Sequence, residues 1–307
     1  MMCMLRTRDI FLRALKKISL YLFLLIAILS FIYLSARLIP GDPITVLYGE
    51  ISGDPVTRSV LERQLGLDKP IQIHLLIYLR NIFTGNWGKS IYTGESVVSI
   101  VSRGFMASLK LALLSSAFVV IISIALVYVE FVHNIHSNLI RISTSLSSSI
   151  QSTVWSIIIL LLIARTGYSV ALGSILPPLS VLTITGIGIF YRVLRSAIEY
   201  SCRQPFVGMY MVMGYNKRYL FLKVLRYSLP MILSALLYRV GVIIAGAVAT
   251  EVIFMYPGMG FVFYTALPSR DYPILIGWGV AISIILMLVN LVVDIVHSVL
   301  DPRVSIS

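Results

Sequence analysis

Six stretches of this chain, residues 18–36, 111–129, 142–164, 166–191, 227–250 and 272–293, are apolar and, apart from Arg239 in the fifth, carry no charged side chain. About 20 such residues in helical form cross the hydrocarbon core of a bilayer. Lipid offers backbone N–H and C=O groups no partner, so spans of this kind satisfy themselves as helices. The sequence therefore predicts an all-α integral membrane protein with six transmembrane helices. Composition agrees: 58% of residues are hydrophobic and 12% charged, where a water-facing domain carries about 25% charged residues. The third stretch departs from the pattern only in its first turns, which are rich in serine.

The formal net charge is +12. Nucleic-acid binding would gather Lys and Arg into patches on soluble elements. Here they lie between the apolar runs, which points to a membrane with the basic loops held on its inner side and to no nucleic-acid partner. Arg6, Arg8, Arg13, Lys16 and Lys17 precede the first run against Asp9 alone. Arg192, Arg195, Arg203, Lys217, Arg218, Lys223 and Arg226 lie between the fourth and fifth against Glu199. Both segments are thus expected in the cytoplasm, and six crossings return the C-terminus there, which makes a multi-pass protein of the cell membrane. The first run is longer than the about 7–15 residues of a signal-peptide core, so it is expected to remain as a helix.

Residues 38–106 combine Gly, Pro and balanced charges and read as an extracellular insertion between spans one and two. The expected organisation is residues 1–106 as an N-terminal helix plus insertion, and residues 107–307 as a five-helix core. Between spans four and five, Pro205 suits the first turn of a helix, Phe206, Met209, Tyr210 and Met213 recur at helical spacing, and Gly214 suits its end. Lys217 and Arg218 follow. An apolar face of this kind on a cytoplasmic loop awaits a protein partner, methionine adapting well to a groove, or lies on lipid headgroups; the pattern leaves both open.

Few features suggest chemistry. Gly85-Asn86-Trp87-Gly88-Lys89-Ser90 ends like a phosphate-binding loop, but its first glycine stands two residues too near the lysine. His133 and His136 have no third ligand, Cys3 and Cys202 share no motif, and neither Gly-x-Ser-x-Gly nor His-Glu-x-x-His occurs. No metal, cofactor or enzymatic activity is expected. Arg239, near the middle of span five, would cost about 2.5–3.5 kcal/mol facing lipid. It is expected to face a cavity or partner, either lining a pathway or bonding helix carbonyls. Glu251 lies twelve residues on, too far along a continuous helix to be its partner. Pro177 and Pro178 are expected to bend span four, and Gly241, Ala245 and Gly246 to allow close helix packing.

Several strings, in order, resemble the dipeptide/oligopeptide/nickel branch of binding-protein-dependent ABC permeases. They are Ala36-Arg37-Leu38-Ile39-Pro40-Gly41-Asp42-Pro43, Leu65-Gly66-Leu67-Asp68-Lys69-Pro70, the Gly85–Ser90 string, Thr250-Glu251-Val252-Ile253-Phe254 with Tyr256-Pro257-Gly258-Met259-Gly260, Arg270-Asp271-Tyr272-Pro273, Asn290-Leu291-Val292-Val293-Asp294, and Leu300-Asp301-Pro302-Arg303. The resemblance covers nearly the whole chain. It implies that residues 206–218 are a cytoplasmic coupling helix that docks on an ATPase subunit. It also implies a second permease subunit, two ATP-binding subunits and an extracellular solute-binding protein as partners. Peptides, oligosaccharides or nickel are the solutes it suggests, with Arg239 and Glu251 as candidates along the translocation pathway. Two departures stand out: Met and Tyr replace the Ala and Arg usual before the loop glycine, and Arg239 stands where a neutral Gln is common.

A secondary transporter would show two related halves with broken helices, and no internal repeat is visible. A membrane enzyme would cluster His, Asp or Ser within the spans. A non-catalytic anchor subunit is the remaining alternative.

Overall fold

The computed structural model describes residues 19–31, 71–133, 138–166, 173–269 and 271–300. The Ala36–Pro43 and Leu65–Pro70 strings, Arg270, Asp301 to Arg303, Cys3, His136 and the basic N-terminal segment lie outside the described residues, as does much of the expected insertion.

Among the described residues the chain is helical, without a β-strand. The helices are α1 (Ser19–Phe31), α2 (Ile71–Phe83), α3 (Val97–His133), α4 (Asn138–Ser149), α5 (Ser152–Thr166), α6 (Leu176–Cys202), α7 (Pro205–Val212), α8 (Lys217–Gly246), α9 (Val248–Ile253), α10 (Met259–Ala266) and α11 (Tyr272–Leu300). Four of them, α3, α6, α8 and α11 as far as Asp294, are long and apolar enough to cross a membrane. A fifth crossing is available if α4 and α5 act as one broken span.

Three expected spans differ from what forms. The third is not one helix: α4 and α5 meet at 98°. The serine-rich turns explain the break. Ser143, Thr144, Ser147, Ser148 and Ser149 all donate their hydroxyls back to carbonyls three or four residues earlier, which satisfies them internally and bends a helix. The Gln151 carbonyl then starts α5 by accepting from Val154 and Trp155.

The fourth expected span is displaced toward the C-terminus. Pro177 and Pro178 occupy the first turn of α6, where a missing N–H costs nothing, so they start the helix instead of bending it. The helix then runs on through Arg192 and Arg195 to Cys202. The fifth is interrupted at Ala247, after which α9 sets off separately.

The described chain divides into two compact units. One comprises the residues up to Arg103 together with Val262–Met287. Its core is Leu25, Leu29, Ile82 and Val280, with Trp87 and Ile276 packed against them. Here Ser90 Oγ donates to Asp271 Oδ2 at 2.6 Å, and Asp271 Oδ1 accepts from the Ile274 N–H at the start of α11. The serine that mimics a phosphate-loop ending is therefore a structural clamp. On the surface, Arg103 pairs with Glu95 through both carboxylate oxygens and holds that carboxyl below its ordinary value.

The other unit comprises Gly104–Phe261 and the residues from Leu288. Helix α6 is its hub, packing against α4, α5, α8 and α9. Gly188 brings the α6 backbone against the Thr144 carbonyl of α4, leaving no room for a Cβ. Gly241 of α8 packs on Val289 in the same way. Small residues set such distances in lipid, where no hydrophobic drive separates helix from solvent. Polar contacts join them: Ser228 of α8 lies 2.7 Å from Ser201 of α6 and donates to the Ala197 carbonyl. Tyr191 donates to Glu130 at 2.6 Å. Large apolar side chains such as Phe118, Ile121, Leu161, Leu162 and Leu229 point outward, as a lipid-facing surface requires.

Candidate functional site

The short helix α7 lies between two of the long apolar helices, α6 and α8. Gln204 has extended backbone, Pro205 opens the first turn, and Gly214 ends the segment at φ +75°. That left-handed conformation suits glycine and lets Gly214 and Tyr215 donate to the Met211 and Tyr210 carbonyls. Asn216 then caps α8, its Oδ1 accepting from the Arg218 N–H. The whole projection is thus closed by local hydrogen bonds.

Helix α7 is apolar all round, and only the tertiary structure divides its faces. Val207 is 1% exposed and belongs to a core cluster with Leu194, Ile198, Leu220, Phe221 and Val224. Phe206 and Tyr210 pack against that cluster. Met209, Met211, Val212 and Met213 point away from the protein, Val212 being 90% exposed. Gly214, Lys217 and Arg218 are exposed beside them. Of the residues expected on one apolar face, Phe206 and Tyr210 therefore turn inward and Met209 and Met213 outward. Met211 and Val212, the centre of the exposed patch, carry no periodic signal because every neighbouring position is also apolar.

The two ionisable residues expected along a pathway occupy separate settings in the same unit. Arg239 of α8 leans across Gly186 of α6, where a Cβ would collide with its guanidinium. One of its Nη atoms donates to the Leu182 carbonyl at 2.7 Å, while its Nε is buried without a partner. Glu251 on α9 is 1% exposed. Its Oε1 accepts from Ser108 Oγ at 2.6 Å and its Oε2 from the Gly260 N–H at 2.7 Å. Gly258 and Gly260 lie so close to the carboxyl that a side chain at Gly258 would collide with it. Tyr256 donates to the Ala107 carbonyl, and its N–H to the Glu251 carbonyl. Burial pushes the Glu251 carboxyl up to about 7, against the pull of the donors from Ser108, Gly260 and Phe261. The Glu251 string is thus a loop folded around its own carboxyl. Ser108, absent from the sequence-based list, completes it; a lone serine in an apolar run carries no signal of such a role.

Among the described residues no group of three or more His, Cys, Asp or Glu side chains is placed to hold a metal ion.

Comparison with known proteins gives a consistent picture. Residues 91–306 match the family described as binding-protein-dependent transport system inner membrane component. The chain is 28% identical over 311 residues to the di/tripeptide transport system permease protein DppB of Pseudomonas aeruginosa (strain UCBPP-PA14), covering 87% of this chain and 91% of that one. It is also 28% identical over 314 residues to a probable D,D-dipeptide transport system permease protein, DdpB, of Escherichia coli (strain K12), covering 89% and 91%. Against the dipeptide transport system permease protein DppB of Lactococcus lactis subsp. cremoris (strain MG1363) it is 25% identical over 303 residues, covering 95% and 98%.

Proposed function

We propose a function for this chain from the family to which it belongs, the binding-protein-dependent transport system inner membrane components of ABC transporters: it is the permease subunit of an ATP-driven importer and forms half of the pathway for its solute. Peptides are the favoured solute class, since the relatives above are named as dipeptide and di/tripeptide permeases; oligosaccharide and nickel, which the sequence resemblance also suggests, have no such support. ATP hydrolysis belongs to two partner subunits, and solute delivery to an external binding protein. A second permease subunit completes the pathway. The chain crosses the membrane six times with both termini in the cytoplasm, α1 forming part of the first crossing, residues 1–106 including the external insertion and residues 107–307 forming the core.

The observation that carries this reading is the outward apolar patch of Met209, Met211, Val212 and Met213, set between two long apolar helices. In water such a patch stands uncovered at a cost of about 25 cal/mol per Å², and a partner's groove removes that cost. Lys217 and Arg218 flank it and steer an acidic rim. Phe206 and Tyr210 anchor the helix from behind, and Gly214 shapes its exit. Arg239, with one donor unpartnered, lies along the pathway in this reading; Glu251 holds the loop at its end.

The experiment places a cysteine at position 212 (Val212→Cys) in the assembled complex and cross-links it. We expect a product with the ATP-binding subunit, and peptide uptake into vesicles that requires ATP. Reaction only with reagents added outside the cell, or uptake driven by an ion gradient without ATP, overturns the proposal.

A further inference from the structure

Helix α7 has eight residues, and a single one of them, Val207, is fully buried. A push on so small an element would swivel it about the Gly214 turn unless something stiffens the joint. Five aromatic rings do so. Phe206 and Tyr210 of α7 sit edge to face, with centroids 6.3 Å apart. Tyr210 meets Tyr215 of the turn at 5.2 Å and Tyr219 of α8 at 6.0 Å, both edge to face. Tyr215 and Tyr219 stack at 4.7 Å with an interplanar angle of 18°. Phe206 reaches Tyr227, two turns further along α8, at 5.2 Å. Lys223 Nζ lies 5.1 Å from the centre of the Tyr219 ring, within cation–π range.

Each of these pairs has a directional optimum, because the ring edge is positive and the face negative. The rings bridge the turn on both sides: Tyr215 and Tyr219 near it, Phe206 and Tyr227 further along. Two attachment points separated along α8 resist rotation as well as translation. The alternative role, filling the core, does not account for Tyr215 and Tyr219, which are 45% and 38% exposed.

We propose that Phe206, Tyr210, Tyr215, Tyr219 and Tyr227 form an aromatic strut that makes α7 and the first turns of α8 one rigid lever, so that displacement of α7 is delivered to α8. This rests on the reading of α7 as the site where an ATP-binding subunit docks. These tyrosines are positioning residues. Their rings, not their hydroxyls, carry the effect.

The test uses the assembled importer with its ATP-binding subunits, in proteoliposomes. Val212→Cys cross-linking reports docking. In a separate background, the rate of thiol labelling at Val242→Cys, on the distal half of α8, is compared with and without vanadate-trapped nucleotide. We expect trapping to change that rate, and the double variant Tyr215→Leu/Tyr219→Leu to shrink the change roughly two- to tenfold, the scale of one lost aromatic pair, with cross-linking at position 212 retained. The Tyr215→Phe/Tyr219→Phe variant behaves like the parent. Should the double Leu variant not assemble, Tyr215→Leu alone, at an exposed ring, decides the matter. Leu variants that respond like the parent, Phe variants that fail like Leu, or a parent whose α8 labelling ignores nucleotide overturn the strut. A parent that does not cross-link at position 212 overturns the docking reading instead.

Discussion

Ser108 Oγ donates to Glu251 Oε1 at 2.6 Å and accepts from the Met259 N–H at 2.8 Å. One hydroxyl on α3 thus ties together the carboxyl of α9 and the start of α10. Replacing Ser108 by Ala strips a donor from the buried Glu251 carboxyl and takes an acceptor from the Met259 N–H. A buried polar group that loses its partner costs about 1–3 kcal/mol. We expect a lower melting temperature for Ser108→Ala in detergent; an unchanged one would show that the hydroxyl is dispensable.

The same carboxyl makes stability depend on pH. Glu251 is raised from 4.5 to about 7 in the folded protein, chiefly by burial. Between those values the folded state binds the proton and the unfolded chain has lost it. Stability from this group is therefore full below about 4.5 and declines as pH rises to about 7, beyond which the decline stops. The Glu251→Gln variant, with nothing to titrate, should show a flatter profile of melting temperature over that window. Parallel profiles for the two proteins would contradict the assignment.

Close packing of α4 on α6 depends on Gly188, where an added Cβ would run into the Thr144 carbonyl and the Ser147 and Ser148 side chains. The obstruction is backbone and cannot swing aside. Gly188→Ala should cost about 1–3 kcal/mol, the range for overpacking, and Gly188→Val more. Gly208→Ala, where a Cβ meets open space, serves as the control. Thermal unfolding of the three proteins in one detergent checks the order.

For Arg239 the pathway role and the carbonyl bond to Leu182 make different demands. Arg239→Gln keeps an N–H donor but loses the charge. On the pathway reading uptake falls by roughly tenfold, the scale of one hydrogen bond to a charged group, while the complex still assembles. Uptake equal to the parent's, measured at several peptide concentrations, would confine Arg239 to helix packing.

How much of this was legible beforehand varies with the physics of each feature. The apolar runs announced the class of protein because lipid admits few backbone solutions. Pro205 and Gly214 marked α7 because each acts through its own backbone, N–H removed in one and left-handed φ allowed in the other. Pro177 and Pro178 misled for the same reason: proline bends a helix or begins one, and the chain around it does not say which.

What the amino-acid order determined alone is the solvent this chain is built for, its helical class and the place of the short helix α7 along the chain, since these follow from local backbone chemistry and from runs of uncharged side chains. What only the tertiary structure decided is direction. It turned Val207 inward and Val212 outward on a helix with no polar face, and it brought Ser108 of α3 onto the Glu251 carboxyl of α9. Each of these depends on a contact made by residues distant in sequence or by neighbours with equal hydrophobicity, and neither kind of contact leaves a periodic trace in the chain.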